Sequence, residues 1–194
     1  MHLRTAHIAT IVVGSALVIA TGFALVTKTR TTSVSADAPV GTASLAVESK
    51  SVKVGDQFSV NINLSTGSNA GNNETTGTDV VLAYNRDLLE PVDADPTAPG
   101  IQILPGKLFE LVQANKANTT LGEIDFSAGQ QPTSKGVVAT DGLLATVTFK
   151  AKAAGRSPLK FIYTAGAVND SNVIQPTTGR DLLNHVQDGV VTIN

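Results

Sequence analysis

Gln57-Phe58-Ser59-Val60-Asn61-Ile62-Asn63-Leu64 sets an apolar residue at every even position and a polar one at every odd position. Side chains of a strand point alternately to opposite faces, so this octapeptide is a strand with one buried face. Ala145-Thr146-Val147-Thr148-Phe149-Lys150-Ala151-Lys152 repeats the pattern. Shorter versions occur at Leu45/Val47, Ile124/Phe126, Leu159/Phe161/Tyr163 and Val191/Ile193, bounded by turn-forming clusters such as Val54-Gly55-Asp56 and Ala154-Gly155-Arg156. Many short strands at this spacing predict an all-β sandwich or jelly roll.

Composition narrows the chemistry. The 194 residues include no cysteine and no tryptophan, three histidines, and 14 Lys+Arg against 16 Asp+Glu. Disulfides, thiolate metal sites and cysteine nucleophiles are excluded. A net charge of -2 offers no basic footprint, so nucleic acid is not an expected partner. His185 is flanked by Asp181 and Asp188, but nothing in the spacing assembles a Ser-His-Asp set, and no enzyme is expected. No cofactor and no metal site are expected either. Asp93-Ala94-Asp95 and Asn169-Asp170-Ser171-Asn172 lack the EF-hand pattern and read as turns.

The first seven residues carry Arg4 and precede nineteen uncharged residues, Ile8 to Val26. A helix of that length covers about 28 Å, near the thickness of a bilayer's hydrocarbon core. This predicts a transmembrane signal anchor over 8–26, followed by a Thr/Ser/Ala-rich linker over 27–43 and a sandwich over 44–194. The alternative is a cleaved secretory signal ending at Val34-Ser35-Ala36. Either way the C-terminal part is expected outside the cell, anchored by a single span or secreted. All sixteen acidic residues but only eleven of the basic ones follow Ala36, so that part is net acidic by five.

In Asp79-Val80-Val81-Leu82-Ala83-Tyr84, positions 80, 82 and 84 form the inward set, yet Val81 and Ala83 on the opposite face are apolar too. Two readings are open. Isolated exposed apolar residues are ordinary in strands, and an apolar outer face is also what a docking partner covers. By the same pleat logic Glu123, Asp125 and Ser127 point outward from another strand. The loop Ser65–Gly77, rich in Gly and Asn, is expected to be mobile.

The order of motifs resembles a cohesin domain. The run comprises Val52-Lys53-Val54-Gly55-Asp56-Gln57-Phe58, Asp79-Val80-Val81-Leu82-Ala83-Tyr84-Asn85 with Leu88-Leu89-Glu90-Pro91, Pro105-Gly106-Lys107-Leu108-Phe109, Gly122-Glu123-Ile124-Asp125-Phe126, Asp141 to Lys150, Ala167-Val168-Asn169-Asp170, and Gly189-Val190-Val191-Thr192-Ile193. Within it Asn85 to Leu89 reads as a turn that drops two leucines into the core, and Pro105-Gly106 as a chain reversal. The resemblance implies a nine-stranded jelly-roll β-sandwich, no catalysis, and a dockerin-type protein partner in polysaccharide degradation. It further implies that Asp79 makes a polar contact while Val81 and Ala83 pack on the partner; Asp125 and Ser127, outward on another strand, are expected to complete the partner-binding set. Tyr84-Asn85-Arg86 departs from the family's usual Tyr-Asp-Pro, and the Glu123/Asp125/Ser127 set is polar where the family often has apolar residues. Two alternatives remain at this point: a carbohydrate-binding module, and a surface adhesion domain with no dockerin. Against the first stand the absent Trp and the inward positions of Tyr84 and Tyr163.

Overall fold

The computed structural model describes residues 43–67 and 73–194. The expected membrane span, Ile8–Val26, and all of the linker but Ala43 lie outside the described residues. Within them run thirteen strands: β1 (Ala43–Val47), β2 (Lys50–Val52), β3 (Gln57–Ser65), β4 (Gly77–Ala83), β5 (Leu89–Pro91), β6 (Leu104–Pro105), β7 (Leu111–Asn118), β8 (Glu123–Gly129), β9 (Gly142–Ala151), β10 (Gly155–Phe161), β11 (Asn172–Ile174), β12 (Leu183–Gln187) and β13 (Gly189–Ile193). Nine have five residues or more; the other four, of two or three residues, exceed the expected nine.

They form two sheets. The first runs β12-β1-β3-β9-β5, with β6 beside β5 on the edge of β9. The second runs β2-β13-β10-β4-β8-β7, with β11 also on β4. The alternation in the sequence is what the sheets enforce. Val60, Ile62 and Leu64 of β3 and Val147 and Phe149 of β9 point into one core with Val80 and Leu82 of β4, Ile124 and Phe126 of β8, and Leu159 and Phe161 of β10. Each such side chain contributes about 1.5–3 kcal/mol by leaving water, against the entropy of ordering the chain.

The turns follow from their residues. Gly55 adopts φ +91°, which a side chain would resist, and the Lys53 amide donates to Asp56 Oδ2 at 2.8 Å. Asn85 Oδ1 accepts the Asp87 amide at 2.9 Å, while its carbonyl accepts the amides of Leu88 and Leu89. That turn buries Leu89 in the core and packs Leu88 against it, as the sequence suggested.

Two local expectations need correction, and a third falls partly outside the described residues. Pro105-Gly106 is not itself a reversal. Leu104–Pro105 pairs with β9, and the bend comes later, at Lys107 and Leu108. Gly106 is required by proximity, since a Cβ there would stand 2.1 Å from the Leu143 carbonyl oxygen. The loop after β3 is held at both ends. Thr66 and Thr75 are buried, and their amides donate to the carbonyls of Ala139 and Val137; residues 68–72 between them lie outside the described set. The strand expected through Tyr163 ends at Phe161.

Past that end the chain leaves the sheet and returns as β11, so β4 pairs with β10 at residues 82–83 and with β11 at residues 77–79. Ser171 fills the gap between them. Its buried hydroxyl accepts the Val81 amide at 3.0 Å and donates to the Val81 carbonyl at 3.3 Å, which gives the β4 backbone partners across the break.

Candidate functional site

The second sheet turns a broad face outward, and the strand register sets its side chains in rows. Lys160, Ala83, Glu123 and Asn118 stand in register across β10, β4, β8 and β7. One step along, Val81, Asp125 and Lys116 form the next row. Ile162 flanks it, its amide donating to the Val81 carbonyl at 2.8 Å. The third row holds Asn172, Asp79, Ser127 and Ala114. Asp79, Val81, Ala83, Asp125 and Ser127 thus occupy one continuous face. All five are partly exposed, whereas Val80, Leu82, Tyr84, Ile124 and Phe126 between them are buried.

At its β11 end the face is covered, since Asn172 is buried, but its centre stays open. Val81 and Ala83 keep partial exposure, and Ile162 beside them is 38% exposed. The apolar centre is therefore larger than the two residues read from the sequence. Ile162 was within reach, because an inward set at Leu159, Phe161 and Tyr163 sends residues 160 and 162 outward. Its neighbour across the sheet was not. Lys116 and Ala114 were missed altogether, since β7 shows no alternation and carries a register shift between Val112 and Ala114.

The two outer faces differ in how their polar groups are used. On the first sheet several of them satisfy one another. Asn61 Nδ2 donates to Glu48 Oε1 at 3.1 Å, Thr146 Oγ1 to Asn61 Oδ1 at 2.9 Å, and Asn63 Nδ2 to Asp141 Oδ1 at 2.8 Å. The hydroxyls of Ser59 and Thr148 share a bond of 2.9 Å. On the second sheet Ser127 donates to Gln113 Oε1 at 3.3 Å. Among the described residues, however, no side-chain hydrogen bond or ion pair engages Asp79, Glu123 or Asp125, although Lys116 faces Asp125 in register.

The remaining aspartates hold turns and strand ends. His185 is exposed on β12, an edge strand. Asp181 Oδ1 accepts the amides of Val173 and Leu183, and Asp188 Oδ1 accepts that of Phe161 at 3.0 Å. Burial pushes the Asp181 carboxyl above the usual range; the two amides oppose that shift and the charge of Asp170 adds to it. Asp93 and Asp95 each cap a turn, accepting the amides of Asp95 and Thr97. A cleft of about 520 Å³ opens beside Tyr84, Leu89, Pro91 and Ile101. Its cations are committed, Arg86 to the Thr120 carbonyl and Lys152 to the Arg86 carbonyl. Burial raises the pKa of Tyr84 at its base, against the opposing charge of Arg86.

A two-sheet β-sandwich with one polar, partly self-bonded outer face and one outer face carrying acids around an apolar centre defines the class of module. A family model described as the cohesin domain matches residues 43–186. The chain belongs to the cohesin domain family. Solved structures of similar fold include the Coh-OlpC–Doc435 cohesin–dockerin complex of Clostridium thermocellum, with TM-score 0.59 and 18% identity over 82% of this chain and 96% of that one. The seventh ScaB type I cohesin of Pseudobacteroides cellulosolvens gives TM-score 0.57 and 18% identity, covering 78% and 92%. A non-cellulosomal cohesin of the archaeon Archaeoglobus fulgidus gives 0.54 and 14%, covering 78% and 91%. No protein with a curated description matches the sequence.

Proposed function

We propose that this cohesin docks a dockerin-type protein on the outer face of β10, β4, β8 and β7 and catalyses nothing. The observation that carries the reading is the set of three unpaired carboxylates, Asp79, Glu123 and Asp125, around the apolar Val81, Ala83 and Ile162. Carboxylates with no internal partner are costly to bury unless the incoming surface brings cations and donors. The fitting partner therefore presents Lys or Arg beside an apolar ridge. Flat binding to crystalline polysaccharide has less support, because among the described residues no Phe or Tyr is exposed to stack on a sugar face.

Isothermal titration calorimetry against a panel of purified dockerin modules tests the reading. At least one is expected to bind with micromolar or tighter affinity. Asp79→Ala is expected to weaken that binding by about 1–3 kcal/mol, the value of a charge-assisted contact, and to flatten its dependence on salt. Silence from the whole panel, with adhesion to cells or matrix retained, favours a surface domain without a dockerin.

The same reading sets the module outside the cell on a membrane tether formed by Ile8–Val26. After an alkaline carbonate wash the full chain is expected in the membrane fraction. Recovery as a shorter soluble form beginning near Asp37 would replace the tether with a cleaved signal.

A further inference from the structure

We propose that Asp170, Asn172 and Asp181 form a binding site for a hard divalent cation of calcium's kind. The proposal stands whether or not the outer sheet docks a partner. All three side chains are buried, at 6%, 4% and 4% exposure. Asn172 Nδ2 donates to the Asp170 carbonyl at 3.1 Å, which folds the amide back over Asp170. Asn172 Oδ1 is then left buried with no hydrogen-bond partner, and so is Asp170 Oδ1, whose sister oxygen takes the Thr164 amide. Asp181 is oriented by the two amides on Oδ1, from Val173 at 3.0 Å and Leu183 at 2.9 Å. Tyr163 lies within the field of both carboxylates, its hydroxyl donating to the Leu183 carbonyl at 2.9 Å.

Chemistry narrows the occupant. Both orphaned atoms are oxygens that can only accept, so what they lack is a donor or a cation. The neighbouring charge that Asp181 feels is that of Asp170, of like sign, and both carboxylates bear on Tyr163. A buried pair of anions beside orphaned acceptors is stabilised far better by a dication than by water. Calcium takes six to eight oxygens in flexible geometry, carboxylate, amide and carbonyl alike; magnesium demands a near-ideal octahedron and holds its water. A set of two carboxylates and one amide oxygen suits calcium, with water free to complete its shell.

The position gives the ion a task. Asp170 ends the excursion that leaves the sheet after Phe161, and Asn172 opens β11 opposite Asp79 of β4. A cation there would tie that excursion to the edge of the outer face.

The test uses the full-length protein, stripped with chelator and titrated with calcium while its melting temperature is followed. Terbium serves as a second probe, because the chain has two tyrosines and no tryptophan, and Tyr163 feels the charge of both carboxylates. Calcium at millimolar concentration is expected to raise the melting temperature by several degrees and to quench tyrosine-sensitised terbium emission by displacement. Tyr163→Phe should lose most of the emission and keep the calcium-induced rise. Asp181→Asn keeps an oxygen for the two amides and removes the charge. In chelator it should melt at or above the parent, and calcium should no longer raise it. Asp170→Asn should likewise abolish the rise. The proposal is overturned if calcium leaves the parent's melting temperature unchanged, or if it raises the parent and both Asp variants equally.

Discussion

Val81→Lys is expected to weaken dockerin binding at least a hundredfold, about 3 kcal/mol, while the melting temperature stays within about 2 °C of the parent's. Both halves come from the same geometry. Val81 is partly exposed at the middle of the outer face, beside Ile162 and in register with Asp125. A lysine there costs the free protein little, because its stem lies along the sheet and its ammonium reaches water or a nearby carboxylate. In the complex the same ammonium must be stripped of water under an apolar ridge, and it competes for the carboxylates that the partner's cations need. Calorimetry on the variant beside a thermal melt separates the two effects. A melting temperature lowered by ten degrees would show the side chain supporting the core, and unchanged affinity would move docking to another surface.

That face was legible in the sequence only as far as single strands carry it. The period of two identified which residues of β4 and β8 point outward, because Val80, Leu82, Ile124 and Phe126 had to be buried. It could not say that β8 lies beside β4, nor that β7 brings Lys116 and Ala114 alongside, because sheet order is fixed by long-range closure of the core. β7 left no pattern for a physical reason. It is an edge strand interrupted by a bulge, and Ala117 is its one buried residue. β2, β5, β6 and β11 are too short to show any period. β12 has Leu183 buried and then Asn184 and His185 both exposed, so alternation fails at once. The unpaired state of Asp79, Glu123 and Asp125 was likewise invisible, since a carboxylate's partners come from strands distant in the chain. The same holds for Asp170 and Asp181, which look like ordinary turn residues until burial is known.

Phe149→Ala is expected to cost about 3–5 kcal/mol, the range for emptying a buried aromatic position. Phe149 belongs to β9 of the first sheet and is fully buried. Its ring lies 6.1 Å from that of Phe58 on the neighbouring strand and 5.2 Å from that of Tyr84, which follows β4 of the second sheet. It therefore joins the two layers behind the cleft that Tyr84 lines. Removing the ring leaves a void that neither layer can fill, because β9 is pinned by β3 on one side and by β5 and β6 on the other. For a domain of this size the loss corresponds to a fall in melting temperature of roughly 6–20 °C, and it would consume much of a total stability of about 5–15 kcal/mol. Urea unfolding at 25 °C measures it directly. Docking provides the control: below the lowered midpoint, affinity should match the parent's, since Phe149 lies in the core, behind the second sheet rather than on its outer face. A loss below 1 kcal/mol would mean that the layers close over the gap, and the contact between Phe149 and Tyr84 would not be what holds this end of the sandwich together.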